Sequence, residues 1–225
     1  GIFADGAFGV NIFFVISGFL ITKLLIEEER VDGDISLKAF YTRRAFRIFP
    51  AYYFILFVYL ILQLAGILWF SGTSWLTSVF YMKYIAGGDW ESGHFWSLSV
   101  EEHFYLFWPI AFKLFKKRRV SIAIIVIAGV MLVRFNTYFK TIPFSFLTAQ
   151  ESLFLRADAL MIGCLTAIYF DRILVFCDKH KTAWYIVPFI FILISFFNSA
   201  ILTNLNYSNH LHLGIILIPL GIGTS

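Results

Sequence analysis

Charge and cysteine are scarce in this 225-residue chain. Asp, Glu, Lys and Arg make up 14% of it, against about 25% in soluble domains. The two cysteines, Cys164 and Cys177, lie in apolar sequence without the spacing of a metal site, which excludes a disulfide scaffold and leaves them as packing residues. With 15 glycines and five prolines, collagen-like and low-complexity classes fall away. No internal repeat or Pro/Ser-rich linker divides the sequence, so residues 1–225 read as one domain. What fills the chain instead is apolar. Hydrophobic residues are 60%, aromatic rings 20% (28 Phe, 11 Tyr, 6 Trp), and mean hydropathy is +0.80. That is the composition of an integral membrane protein.

Apolar runs long enough for membrane helices fall at about Gly9 to Ile26, Ile48 to Phe70, Phe95 to Leu114, Val120 to Val133, Ala157 to Phe176 and Trp184 to Leu202, with a shorter one from Leu211. The runs are continuous rather than alternating, so the expected fold is all-α, a polytopic bundle of about seven spans. No Met opens the chain and the last run is too short to span, so the domain is expected to be incomplete at both ends. Of the 18 Lys and Arg residues, 14 fall near 23–47, 113–119 and 172–181, and four in the alternate connections. The positive-inside rule makes the segments near 27–47, 113–120 and 171–183 cytoplasmic and Gly1 external, in a multi-pass protein of the cell membrane. The net charge of +4 is then a topology signal and gives no reason to expect nucleic acid.

Ionisable groups inside a span cost about 2.5 to 3.5 kcal/mol each at its centre, so each needs a partner or a task. Glu101, Glu102 and His103 enter an aromatic helix between His94 and Pro109. Spacing of four puts Ser97, Glu101 and Tyr105 on one stripe, with Glu102 about 100° away. The bland account has one Glu at the headgroups and one paired with an arginine; the functional one has a buried carboxylate moving protons. The stripe favours Glu101 as the inward one, paired with an arginine such as Arg156 or with a span expected before Gly1, and gives Glu102 an interhelix or interfacial role. Arg156 and Asp158 sit at the outer mouth of a later span, and their two-residue offset gives each a partner on another helix. Arg44 and Arg43 lie three and four residues before Arg47 on a short helix capped by Ser36, all near one face at the cytoplasmic surface. They anchor the topology, or their guanidinium forks hold a polyphosphate. Ser17 beside Gly18 suits close helix packing and the wall of an acyl channel, with no base on its own helix to make it a nucleophile.

Four ordered stretches, Gly9–Thr22 with Ser17-Gly18, Phe40–Pro50 with Arg43, Arg44 and Arg47, His94–Pro109 with Trp96 and the paired Glu, and Leu155–Gly163 with Arg156 and Asp158, together resemble the acyltransferase 3 family of multispan membrane enzymes. The family O-acylates cell-surface glycans. The resemblance implies an acetyl-CoA or other acyl-CoA donor bound through Arg43, Arg44 and Arg47, and no metal. It also implies a glycan acceptor such as peptidoglycan, lipopolysaccharide or exopolysaccharide, and a site in which Glu101, Glu102, His94 and Asn11 serve chemistry while Ser17, Trp96, Tyr105, Arg156 and Asp158 support it. The family's catalytic His would lie in a span before Gly1. Two positions depart from the pattern: Asn11 stands where Asp is frequent, and His103 where Gln is. The rival reading is a glycan or lipid-linked sugar transporter, with Glu and Arg as coupling groups; a scaffold leaves the in-membrane charges unexplained.

Overall fold

A computed structural model describes residues 6–83, 95–139 and 153–179. Among these the protein is all-helical, with α1 at Gly6–Asp32, α2 at Leu37–Leu64, α3 at Gly72–Val79, α4 at Phe95–Leu114, α5 at Arg119–Phe139, α6 at Leu153–Ile168 and α7 at Phe170–Lys179. Gly9–Asp32 and Leu37–Leu64 are each long and apolar enough to cross a membrane, and α6 with α7 makes a third if the bent pair is one span. The expected spans from Trp184 and Leu211 lie outside the described residues.

Two spans differ from their sequence expectation. The arginine-bearing segment is not a separate short helix before a span from Ile48 to Phe70. Ser36 caps it as expected, its side chain accepting from the Ala39 amide at 3.3 Å, but the helix then runs unbroken to Leu64. Nothing between Ser36 and Pro50 breaks it, and Pro50 removes only a single intrahelical hydrogen bond. The helix stops short of Phe70 because Gly66 takes a left-handed φ of +73°, which a side chain would resist. The run Ala157 to Phe176 is broken at Tyr169, where α7 turns 70° from α6. Charge explains the break: Asp171 opens the new helix at its positive end, and Asp171 with Arg172 ends the apolar run. The short α3 had no counterpart in the reading of the sequence.

The chain groups into two compact units. One comprises Gly1–Leu24, Val120–Pro143 and Arg156–Ser225, the other Leu25–Arg119 and Phe144–Leu155. In the first, α1 and α6 run in the same direction and cross on glycines. A methyl added at Gly18 would overlap the Leu160 carbonyl, and one at Gly163 would overlap the Val15 carbonyl. Hydrocarbon chains solvate apolar side chains as well as a neighbouring helix does, so such backbone contact is what drives helices together in lipid. Phe14, Leu160 and Cys164 fill the crossing.

In the second unit α2 and α4 lie antiparallel, which is visible in the ladder of contacts Tyr41 to Leu106, Arg44 to Tyr105 and Tyr52 to Phe95. Their far ends differ in chemistry. One end is a cluster of Tyr52, Leu56, Phe70, Tyr81 and Phe95, flanked by Tyr59, Trp75, Val79 and Leu98. The other is ionic: Arg119 forks onto Glu29 at 2.7 and 3.0 Å, Lys116 reaches the same carboxylate at 3.0 Å, and Lys113 bonds Asp34 at 2.7 Å and the Ile35 carbonyl at 2.6 Å. These bonds fasten the end of α1 and the α1–α2 connection to the last turn of α4 and the residues that follow it.

Candidate active site

Arg44 is the centre of the second unit. Leaving α2 toward α4, its guanidinium lies over the Tyr105 ring at 3.4 Å and comes within 3.9 Å of the Glu101 carboxylate. Glu101 is 4% exposed and Tyr105 also 4%. The predicted stripe on α4 is therefore correct in direction: Glu101 and Tyr105 both turn inward. The arginine that meets Glu101 here is Arg44, which sequence spacing had assigned to the cytoplasmic surface. Because α2 starts at Leu37 and runs antiparallel to α4, Arg44 comes level with α4 about eight residues from Phe95, or roughly 12 Å along a 20-residue helix. That is near the middle of α4, where the carboxylate and the ring face hold the guanidinium.

Of the three arginines, Arg44 and Arg47 lie three apart, about 60° around α2, and Arg43 turns off that side. Successive residues on a helix turn by about 100°. Arg43 points away from Arg44 and donates to Glu28 at 2.8 Å, the same carboxylate that accepts the Ser36 amide at 2.8 Å. Arg47 is exposed on α2. Glu102, expected in an interhelix or interfacial role, has its Oε1 buried without a hydrogen-bond partner. Its charge acts on Arg44, Tyr52 and Tyr81, so it faces the tyrosine end of the unit. Trp96 is half-buried on α4, and His103 spends its Nδ1 on the Ser99 carbonyl of its own helix at 2.8 Å.

The remaining expected site residues lie in the first unit. Asn11 is buried and its side-chain oxygen accepts from Arg156 at 3.2 Å. An α1–α6 hydrogen bond thus stands at the Asn11 end of the crossing, in keeping with the partner on another helix expected of Arg156. Asp158 is 2% exposed one half-turn further on, and Ser17 is buried on α1 beside Gly18. An amide at residue 11 can accept from the guanidinium but brings no charge to it. His94 lies outside the described residues.

Several polar residues had no place in the reading of the sequence. Tyr52 donates to the Ser78 carbonyl at 2.7 Å, and Lys83, 2% exposed, donates to Ser74 at 2.9 Å. Lys83 had been counted only as an outer loop charge. Its isolation from other basic residues was the one available signal, and isolation alone does not tell a buried lysine from a surface one.

A family model described as "Acyltransferase domain" matches residues 2–224. Among curated proteins, "Putative O-acetyltransferase SACOL0978" of Staphylococcus aureus (strain COL) is 38% identical over 120 residues, 47% of this chain and 20% of that protein. "Putative peptidoglycan O-acetyltransferase YrhL" of Bacillus subtilis (strain 168) is 34% identical over 123 residues, covering 48% and 19%. An "Uncharacterized protein" of Haemophilus influenzae is 32% identical over 189 residues, 71% of this chain and 74% of its own length. The matched part thus spans about a fifth of the two named acetyltransferases. No solved structure matches the chain.

Proposed function

Because the chain belongs to the acyltransferase 3 family, we propose that it forms the membrane-embedded part of an O-acyltransferase that moves an acyl group, acetyl by preference, from acyl-CoA to a hydroxyl of an extracytoplasmic glycan. The names of the relatives support the O-acetyl chemistry, and that of the Bacillus protein makes peptidoglycan the first acceptor to test. The cell membrane is the proposed location, with the Lys113–Arg119 end of the second unit cytoplasmic.

One observation carries the reading: Arg44 held between Glu101 and the Tyr105 face in the interior of a membrane helix pair. A fixed guanidinium in low dielectric suits the two charges that acyl transfer creates or carries, the phosphates of the donor and the oxyanion of the tetrahedral intermediate. Arg47, exposed one turn along α2, supplies a second fork for donor phosphate, and Arg43 becomes available only by leaving Glu28. Deprotonating the acceptor hydroxyl requires a general base, a role the family resemblance gives to a His. The sharp α6–α7 bend is the feature a transporter would share. A transporter of the inverted-repeat kind would carry such a break in both halves, and among the described residues there is one.

The test uses the full-length protein in proteoliposomes with radiolabelled acetyl-CoA and peptidoglycan glycan strands. Base-labile acetate on the glycan, lost in Arg44→Ala, is the expected result. Arg47→Lys should keep charge without the fork and weaken CoA binding less than Arg47→Ala. Glycan crossing the bilayer with no acetate transferred would replace this reading by the transporter.

A further inference from the structure

The tyrosine end of the second unit holds polar atoms that donor binding does not use. Tyr52 and Tyr81 stack with centroids 4.2 Å apart, and Phe95 meets Tyr52 edge-on at 5.4 Å. Within this packed group the Tyr81 hydroxyl and the Ser78 hydroxyl are buried without a hydrogen-bond partner, and elsewhere in the same unit so are Glu102 Oε1 and Arg44 Nε. Tyr81 is 8% exposed and Ser78 fully buried, so bulk water does not reach them. A buried polar atom left unsatisfied is rare and costly, and here four fall in one unit of a helical protein. Tyr81 also adopts a φ of +56°, a left-handed conformation that a bulky side chain takes only under constraint.

The four atoms have complementary capacities. Hydroxyls both donate and accept, an ionised carboxylate only accepts, and a guanidinium Nε only donates. A phosphate is disfavoured by Glu102 and a cation by Arg44, whereas an uncharged group with several hydroxyls matches the two hydroxyls and the carboxylate. Tyr52 packs against the first residue of α4, while Lys113 and its ionic partners hold the last turn, 18 residues or about 27 Å away. With the ionic end cytoplasmic, this cluster stands at the outer side, where the acceptor is.

We propose that Tyr81, Ser78 and Glu102 form the subsite that binds a hydroxyl-bearing sugar of the acceptor glycan. The inference rests on the O-acyltransferase reading and specifies its acceptor side: Glu102 accepts from a sugar hydroxyl, and the Tyr81 and Ser78 hydroxyls complete the contact. Glu101 stays the counter-ion of Arg44.

The experiment uses full-length protein with Tyr81→Phe, Ser78→Ala and Glu102→Gln. It measures KM for acceptor, CoA affinity and the thermal midpoint without acceptor. The acceptors are peptidoglycan fragments and delipidated lipopolysaccharide, whose binding without acetyl-CoA is also read by tryptophan fluorescence. Expected are a tenfold or greater rise in acceptor KM for Tyr81→Phe and Glu102→Gln, a smaller rise for Ser78→Ala, unchanged CoA affinity, and a Tyr81→Phe midpoint no lower than wild type. Acceptor KM at the wild-type value in all three variants, with a lowered midpoint, shows that internal water alone satisfies these atoms and overturns the subsite while the acyltransferase reading stands. Glycan binding that Tyr81→Phe abolishes, in a wild type that transfers no acetate, keeps the subsite and overturns the acyltransferase reading. Absence of wild-type binding to either glycan overturns the subsite.

Discussion

The two ends of the α2–α4 pair are built from the same helices and satisfy their polar groups in opposite ways. At the ionic end, Glu28, Glu29 and Asp34 are each bonded to a cation, and Glu29 takes both Arg119 and Lys116. Arg119 is further held by the Phe112 carbonyl at 2.8 Å and by the Phe112 ring at 3.6 Å. At the tyrosine end, hydroxyls are buried and left open. The contrast teaches where stability and chemistry have been separated. Mutually satisfied charges fasten the helix connections, and unsatisfied buried groups mark a place prepared for something that is not part of the chain.

The largest expected effect comes from the residue between the ends. Arg44→Ala removes the cation facing Glu101 and leaves a buried carboxylate uncompensated, which should cost about 3 kcal/mol of stability and more than a hundredfold in acyl transfer. Chemical unfolding in detergent and the transfer assay read the two losses. Arg44→Lys should restore part of the stability but not the stack on Tyr105. If Arg44→Ala unfolds at the wild-type midpoint, the central pair is not the joint between the two ends.

Next comes a control outside both ends. Gly18→Ala forces a methyl into the Leu160 carbonyl and should destabilise the α1–α6 crossing by about 1 to 3 kcal/mol. Cross-linking of cysteines placed on α1 and α6 should fall with it, while the ionic end keeps its salt response. A normal cross-linking yield would mean that the crossing tolerates separation.

Smaller effects belong to the ionic end. Arg119→Ala should cost about 1 kcal/mol, since its carboxylate keeps Lys116 and the site is partly solvated. A double-mutant cycle with Glu29→Gln isolates the pair; coupling indistinguishable from zero in low salt would remove Arg119 from the fastening. The smallest change is a pH effect. The hydrogen bond from Lys113, aided by the Ile35 amide, holds the Asp34 carboxyl below the usual carboxylate range. A depressed carboxylate contributes stability that is complete above its unfolded pKa and is lost as pH falls through its folded one. Asp34→Asn should therefore flatten the acid limb of the stability profile and leave neutral pH nearly unchanged. An acid limb identical to wild type would show that the bond does not form in solution.

The sequence alone determined the membrane class, the all-helical fold, the family and the inward face of Glu101, because each follows from local composition, from a period of 3.6 or from ordered motifs. Ser36 was legible as a cap for the same reason, since capping needs only the next three residues. The depth of Arg44 was not legible. It depends on where α2 begins and on the antiparallel register that sets Tyr41 against Leu106, both consequences of contacts 65 residues apart. The tyrosine cluster was invisible for a related reason: Tyr52, Ser78, Tyr81 and Glu102 are distant in sequence and unremarkable one by one. Only folding removes water from all four, and it is the loss of water that turns ordinary hydroxyls and a carboxylate into a site.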